Sequence, residues 1–149
     1  MATTPTQAHS LITLPFSHAT DFTELADNCE RFTDALADCV EPAHKMALYG
    51  RFSACLELLQ PTLLEAIPER LKASLTVEEL PSRVPVFEPE CDQLGRYCQE
   101  ITQLLMNGSL PRQSAIVIED LLCELIGYFA DTLKAPRWLK TDEGTVAIG

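Results

Sequence analysis

Between residues 21 and 40, apolar side chains recur at spacings of three and four, the period of a helix rather than of a strand. At about 100° per residue, Phe22, Leu25, Cys29, Phe32, Leu36, Cys39 and Val40 share one arc of about 100°. Glu24, Asp27, Glu30, Asp34, Asp38 and Glu41 share a separate arc of about 120° on the opposite side. A chain carrying such a segment must bury one face and leave a row of carboxylates in water. Thr20 or Asp21 is placed as the N-cap, with Thr23 and Glu24 at the offset of a capping arrangement. Glu41–Pro42 marks the boundary, because Pro suits the first position of the helix that follows.

That second helix is predicted over 42–59, burying Leu48, Phe52, Cys55, Leu56 and Leu59, with Gln60–Pro61 interrupting or kinking it. Leu63, Leu64, Ile67, Leu71 and Leu75 continue a helical stripe, which Pro68 must bend or restart. Residues 76–89 hold Pro81, Pro85 and Pro89 and read as an irregular connection, with a short strand at 84–87 as an option. A third helix over 90–106 places Cys91, Leu94, Cys98, Ile101 and Leu105 on one stripe, and Asn107–Gly108 stops it.

The fourth helix, 112–134, is apolar over most of its circumference. Ile118, Leu122, Leu125, Phe129 and Leu133 form one face, which Val117, Leu121 and Tyr128 extend and Ile116, Cys123 and Ala130 widen. Such a helix belongs at the centre of a bundle or at a subunit interface, a homodimer included. The expectation is an all-α fold, a compact helical bundle of about four to five helices. The bundle domain covers 21–139, preceded by an extended N-terminal arm (1–20, with a strand-like piece at 11–14) and followed by a short C-terminal tail (140–149, with a short piece at 145–148), the two flanks being the places for minor strands. At 149 residues the chain has the common size of one domain.

The balance of charge excludes whole classes of function. The net charge is −11, so direct nucleic-acid binding, which depends on Lys and Arg neutralising phosphates, is not expected. An acidic surface suits basic partners or imitation of a polyanion. No stretch approaches the roughly 18 apolar residues of a membrane span. The first 20 residues carry no Lys or Arg and no long apolar run, which predicts no signal peptide and a cytoplasmic address.

Chemistry-bearing motifs are absent. Cys29, Cys39, Cys55, Cys91, Cys98 and Cys123 include no Cys-x-x-Cys pair. Cys91 and Cys98 lie roughly 10 Å apart by helical rise, beyond disulfide reach. The thiols read as core packing in a reducing compartment, ahead of a metal or redox role assembled across helices. His9, His18 and His44 stand at no recognisable catalytic spacing from a nucleophile. The six glycines are isolated, so no phosphate loop is present. Gly50, Gly95 and Gly127 interrupt helical patterns and are expected where helices approach closely. No catalytic residue, no metal ligand and no cofactor are assigned.

Two surfaces remain. Residues 21–41 hold seven carboxylates against Arg31 alone, a net −6, more than half of the chain's net charge on about one-seventh of its length. A solvated helix face explains acidity, but like charges three and four apart repel by a few tenths of a kcal/mol per pair. Glu24, Asp27, Glu30, Asp34, Asp38 and Glu41 are therefore one candidate recognition surface. Arg137 and Trp138, just after the helix-ending Pro136, are a second, an aromatic-plus-cation pair of the kind enriched at binding hot spots. The alternative for Trp138 is a tail folding back over the bundle.

Three strings carry a resemblance: Ala47-Leu48-Tyr49-Gly50-Arg51-Phe52, Leu75-Thr76-Val77-Glu78-Glu79-Leu80-Pro81, and Tyr128-Phe129-Ala130-Asp131 through Ala135-Pro136-Arg137-Trp138-Leu139. They resemble small accessory proteins of enterobacterial prophages and satellite phages. The resemblance implies a class of work, regulating transcription or inhibiting a host or rival-phage protein, and assigns no residue a role. The leading expectation is a non-enzymatic protein–protein interaction module, a regulator or inhibitor whose partner is a host or phage protein with a basic surface. An acidic DNA mimic and a small enzyme or metal-binding protein using scattered Cys and His are the alternatives.

Overall fold

The computed structural model describes residues 10–148. The fold is all-α with one small sheet. Its elements are α1 (Phe22–Asp38), α2 (Pro42–Thr62), a single 3₁₀ turn (Glu69–Leu71), α3 (Cys91–Met106), α4 (Arg112–Lys134), β1 (Trp138–Thr141) and β2 (Gly144–Ala147). The chain groups into two compact units that divide between Leu80 and Pro81, inside the proline-rich connection.

In the first unit, α1 begins where Asp21 caps it. The Asp21 carboxylate accepts from the amides of Thr23 and Glu24, both at 3.0 Å, and from the Thr23 hydroxyl at 2.6 Å. The helix ends at Asp38, so Val40 falls beyond it and is 94% exposed, not part of the buried stripe. Leu25, Phe32 and Leu36 are buried, while Phe22, Cys29 and Cys39 are half-buried.

Helix α2 starts with Pro42 at its first turn and runs through Pro61 to Thr62. Pro61 does not break the helix at residue 60, but the helix runs only one residue past it, because the ring has no amide to donate one turn back and the ladder stops there. Leu48 and Cys55 are fully buried, and Phe52 and Leu59 are half-buried. Leu56 is 41% exposed, contrary to expectation. It sits about 40° past the stripe formed by the other four at 3.6 residues per turn.

The core of this unit is Leu11, Leu25, Phe32, Leu36, Leu48 and Cys55. Each fully buried Leu or Phe contributes about 1.5–3 kcal/mol relative to exposure. Phe32 meets Phe16 edge-on at 6.2 Å and Phe52 at 6.3 Å. The N-terminal segment corrects the sequence reading on two counts. Residues 10–12 are helical rather than strand-like, and Leu11 is 2% exposed, a core residue rather than part of a free arm. Residues 1–9 of that arm lie outside the described residues.

Arg51 on α2 secures this segment by donating to the Leu14 carbonyl and stacking 4.2 Å over the Phe16 ring. Beyond α2, Pro68 opens the 3₁₀ turn and Leu71 is buried. The stripe expected around it does not form: Leu63, Leu64, Ile67 and Leu75 are all exposed.

In the second unit, α3 packs on α4 through Leu94 and Cys98, both buried, with Cys91, Ile101 and Leu105 half-buried. Asn107 ends α3 and Gly108 follows at φ +65, a left-handed position that favours glycine. Helix α4 has the predicted bounds but not the predicted centrality: none of its residues is buried. Ile118, Leu122, Leu125 and Phe129 are half-buried, whereas Ile116, Val117, Leu121, Ile126, Tyr128 and Leu133 are exposed.

A two-helix hairpin covers only one side of each helix, which leaves the rest of this apolar circumference open. Residues 84–87 form no strand. The C-terminal tail, expected to add a minor strand near 145–148, forms an antiparallel hairpin pairing Trp138 with Ala147 and Thr141 with Gly144. Gly144 takes φ +130 at its turn, and the Thr141 hydroxyl donates to the Gly144 carbonyl at 2.8 Å.

Candidate interaction surface

The acidic row stands as a ridge on the first unit. Glu24, Asp27, Glu30, Asp34, Asp38 and Glu41 are all exposed. Glu24 to Asp38 spans about 21 Å of α1 at 1.5 Å per residue. Among the described residues, none of Glu24, Asp27, Glu30, Asp34 and Asp38 takes part in an ion pair. Arg31, the one cation of this helix, is exposed and makes no ion pair either. Glu41 differs, because it serves the start of α2. Its carboxylate accepts from the Ala43 amide at 3.4 Å and lies 3.0 Å from His44 Nδ1. The ridge proper thus ends at Asp38.

The placement of charge along α1 is uneven in its effect. Glu24 lies in the first turn, where the helix dipole favours an anion. Asp34 and Asp38 approach the C-terminus, where the dipole disfavours one, and no basic residue occupies the last turn. The helix carries this cost without local compensation.

Asn28 and Arg51 are structural residues that the sequence reading passed over. Asn28 is 4% exposed on the buried side of α1. It stands only about 20° outside the apolar arc at 3.6 residues per turn, so its position signalled burial while its polarity argued against it. Arg51 holds the N-terminal segment, and its Nε is buried without a partner among the described residues. Nothing in its spacing marks that role.

The second candidate surface lies in the other unit. Trp138 on β1 is 65% exposed and does not fold back over the helices. Arg137 donates to the Leu133 carbonyl at 3.3 Å, fixing the turn between α4 and β1. Leu139, Val146 and Ile148 are exposed beside them in the sequence of the hairpin.

All six thiols are free. Cys55 and Cys98 are buried, Cys29, Cys39 and Cys91 are half-buried, and Cys123 is exposed on the uncovered side of α4. Core packing therefore describes five of the six in some degree and fails for Cys123. Of the histidines, His9 lies outside the described residues and His44 pairs with Glu41. His18 lines a groove of about 320 Å³ with Phe22, Leu63, Ile67 and Arg70. Among the described residues, no three His, Cys, Asp or Glu are grouped to hold a metal ion, and no helix is long and apolar enough to cross a membrane. No protein-family profile, curated protein or solved structure matches the chain.

Proposed function

We propose that the chain is a non-enzymatic protein–protein interaction module, a regulator or inhibitor carried by a mobile element, which binds a basic surface on a host or phage protein through the acidic ridge of α1. The observation that supports this reading is the row of five exposed carboxylates, Glu24 to Asp38, left without ion pairs and against the helix dipole at its C-terminal end. A solvated face needs polarity, which Ser, Gln or mixed charges supply at lower repulsion. A single-sign row raises the encounter rate with a cationic partner and rejects acidic ones.

Replacing Glu30, Asp34 and Asp38 together by Gln and Asn should weaken capture of the partner from its native host in a pull-down. Unchanged capture at low salt removes the ridge as the contact. Asp38→Asn alone separates folding from binding: it should raise helix stability by about 0.3–1 kcal/mol by relieving the dipole conflict while lowering affinity. The second reading, an acidic DNA mimic, draws on the regular spacing. Carboxylates every three or four residues recur at about 4.5–6 Å along the helix axis. That reading requires duplex DNA to compete with the chain for the partner, and affinity to fall steeply with salt.

A further inference from the structure

Two thiols face each other across the helix pair of the first unit. Cys29 on α1 and Cys55 on α2 place their sulfurs 3.8 Å apart, although they are 26 residues apart in sequence. Cys55 is fully buried, and its thiol donates to the Leu25 carbonyl at 3.4 Å. Leu25 lies one turn before Cys29, so the Cys55 sulfur rests on the very turn of α1 that presents Cys29. Cys29 is only half-buried and keeps a side open to solvent. Among the described residues, no other two cysteine sulfurs make such a contact.

We propose that Cys29 and Cys55 are a reversible oxidation site, which a hydroperoxide converts into a disulfide stapling α1 to α2. A small peroxide reaches the part-exposed sulfur first, while the buried one is shielded until its neighbour has reacted. Cys29 loses its proton to solvent and its thiolate attacks one oxygen of hydrogen peroxide. The O–O bond breaks, the departing hydroxide is protonated to water, and Cys29 becomes a sulfenic acid. The Cys55 sulfur then attacks the Cys29 sulfur. The S–S bond forms, the S–O bond breaks, and the leaving hydroxide takes the Cys55 proton as a second water. Two thiols are oxidised by two electrons and one peroxide is reduced to two waters.

The closure asks the sulfurs to move from 3.8 Å to about 2.05 Å. Burial, with the Cys29 thiol beside it, pushes the Cys55 thiol up to about 11, so this sulfur stays protonated and inert until an activated partner stands against it.

The test treats the intact chain, dilute, with hydrogen peroxide, blocks remaining thiols with N-ethylmaleimide and maps the peptides by mass spectrometry. The expected product is a Cys29–Cys55 linked peptide, with the intact mass lower by two hydrogens, a raised Tm and full recovery of both thiols in dithiothreitol. Recovery of both thiols as maleimide adducts, or of Cys29 as a sulfinic acid without a linked peptide, overturns the proposal. Cys29→Ser alters a half-exposed position and should abolish the linked peptide, leaving Cys55 as a free thiol. If Cys55 couples to another cysteine as readily in that variant as in the parent, the pairing is overturned.

Discussion

Asp21 is itself extended, at φ −73 and ψ 163, and turns its side chain onto the first amides of α1. The Thr23 hydroxyl and then the Glu24 amide hold its carboxyl below the usual carboxylate range. A depressed value means that the cap's contribution is present above about pH 3.8 and is lost as the pH falls through the lower native value. Asp21→Ala should therefore cost about 1 kcal/mol near neutrality, and the gap to the parent in urea unfolding should narrow in acid. Cys55 gives the opposite sign. Its thiol is raised from 9.0 to about 11, so the folded state keeps a proton that the unfolded chain releases. Its contribution is intact below about pH 9 and fades as the pH climbs towards 11. Unfolding curves across that window should show a steeper loss for the parent than for Cys55→Ser, whose hydroxyl does not titrate there.

The glycines show how an element can look alike in sequence and differ in space. A methyl added at Gly95 would meet the Phe129 ring at 3.5 Å, so α3 and α4 do approach closely there. At Gly50 and Gly127 nothing lies within 4 Å, and the close approach expected of them is absent. Gly50→Ala should then stabilise α2 by up to about 1 kcal/mol through backbone entropy alone, read as a higher Tm, and Gly127→Ala should do the same for α4. The helices were legible because their apolar residues keep a helical period and their ends carry Asp21, Pro42, Gly108 and Pro136. The face was legible on α1 and α3, where polar and apolar arcs separate cleanly. It was ambiguous on α2, where Met46, Tyr49 and Leu56 spread apolar surface around the circumference and only packing against α1 chose between the faces. Strand β1 was missed because four residues with Trp138, Leu139 and Lys140 in a row show no alternation. The acidic ridge needed only the helical period to be seen, whereas the Cys29–Cys55 contact depends on how α1 meets α2, which no spacing encodes.

Taken as a whole, the chain distributes its buried surface unequally. The first unit closes over Leu11, Leu25, Phe32, Leu36, Leu48, Cys55 and Leu71, while among the described residues of the second only Leu94 and Cys98 are buried. Local opening free energy follows buried apolar contact, so amide hydrogens of α3 and α4 should exchange faster than those of α1 and α2. Equal protection of all four helices would mean that α4 is covered in solution by something beyond its own hairpin. The open side of α4 has a further consequence for how the molecule behaves in bulk. Ile116, Val117, Leu121, Leu133, Trp138 and Leu139 would draw copies together as a sticky colloid does. What keeps them dispersed is mutual repulsion from the net charge of −11, and that repulsion vanishes near the isoelectric point of about 4.6. The second unit brings ten of the 22 carboxylates itself, and α1 adds the densest row, so mild acid should strip the suspending charge from both units and turn a clear solution cloudy.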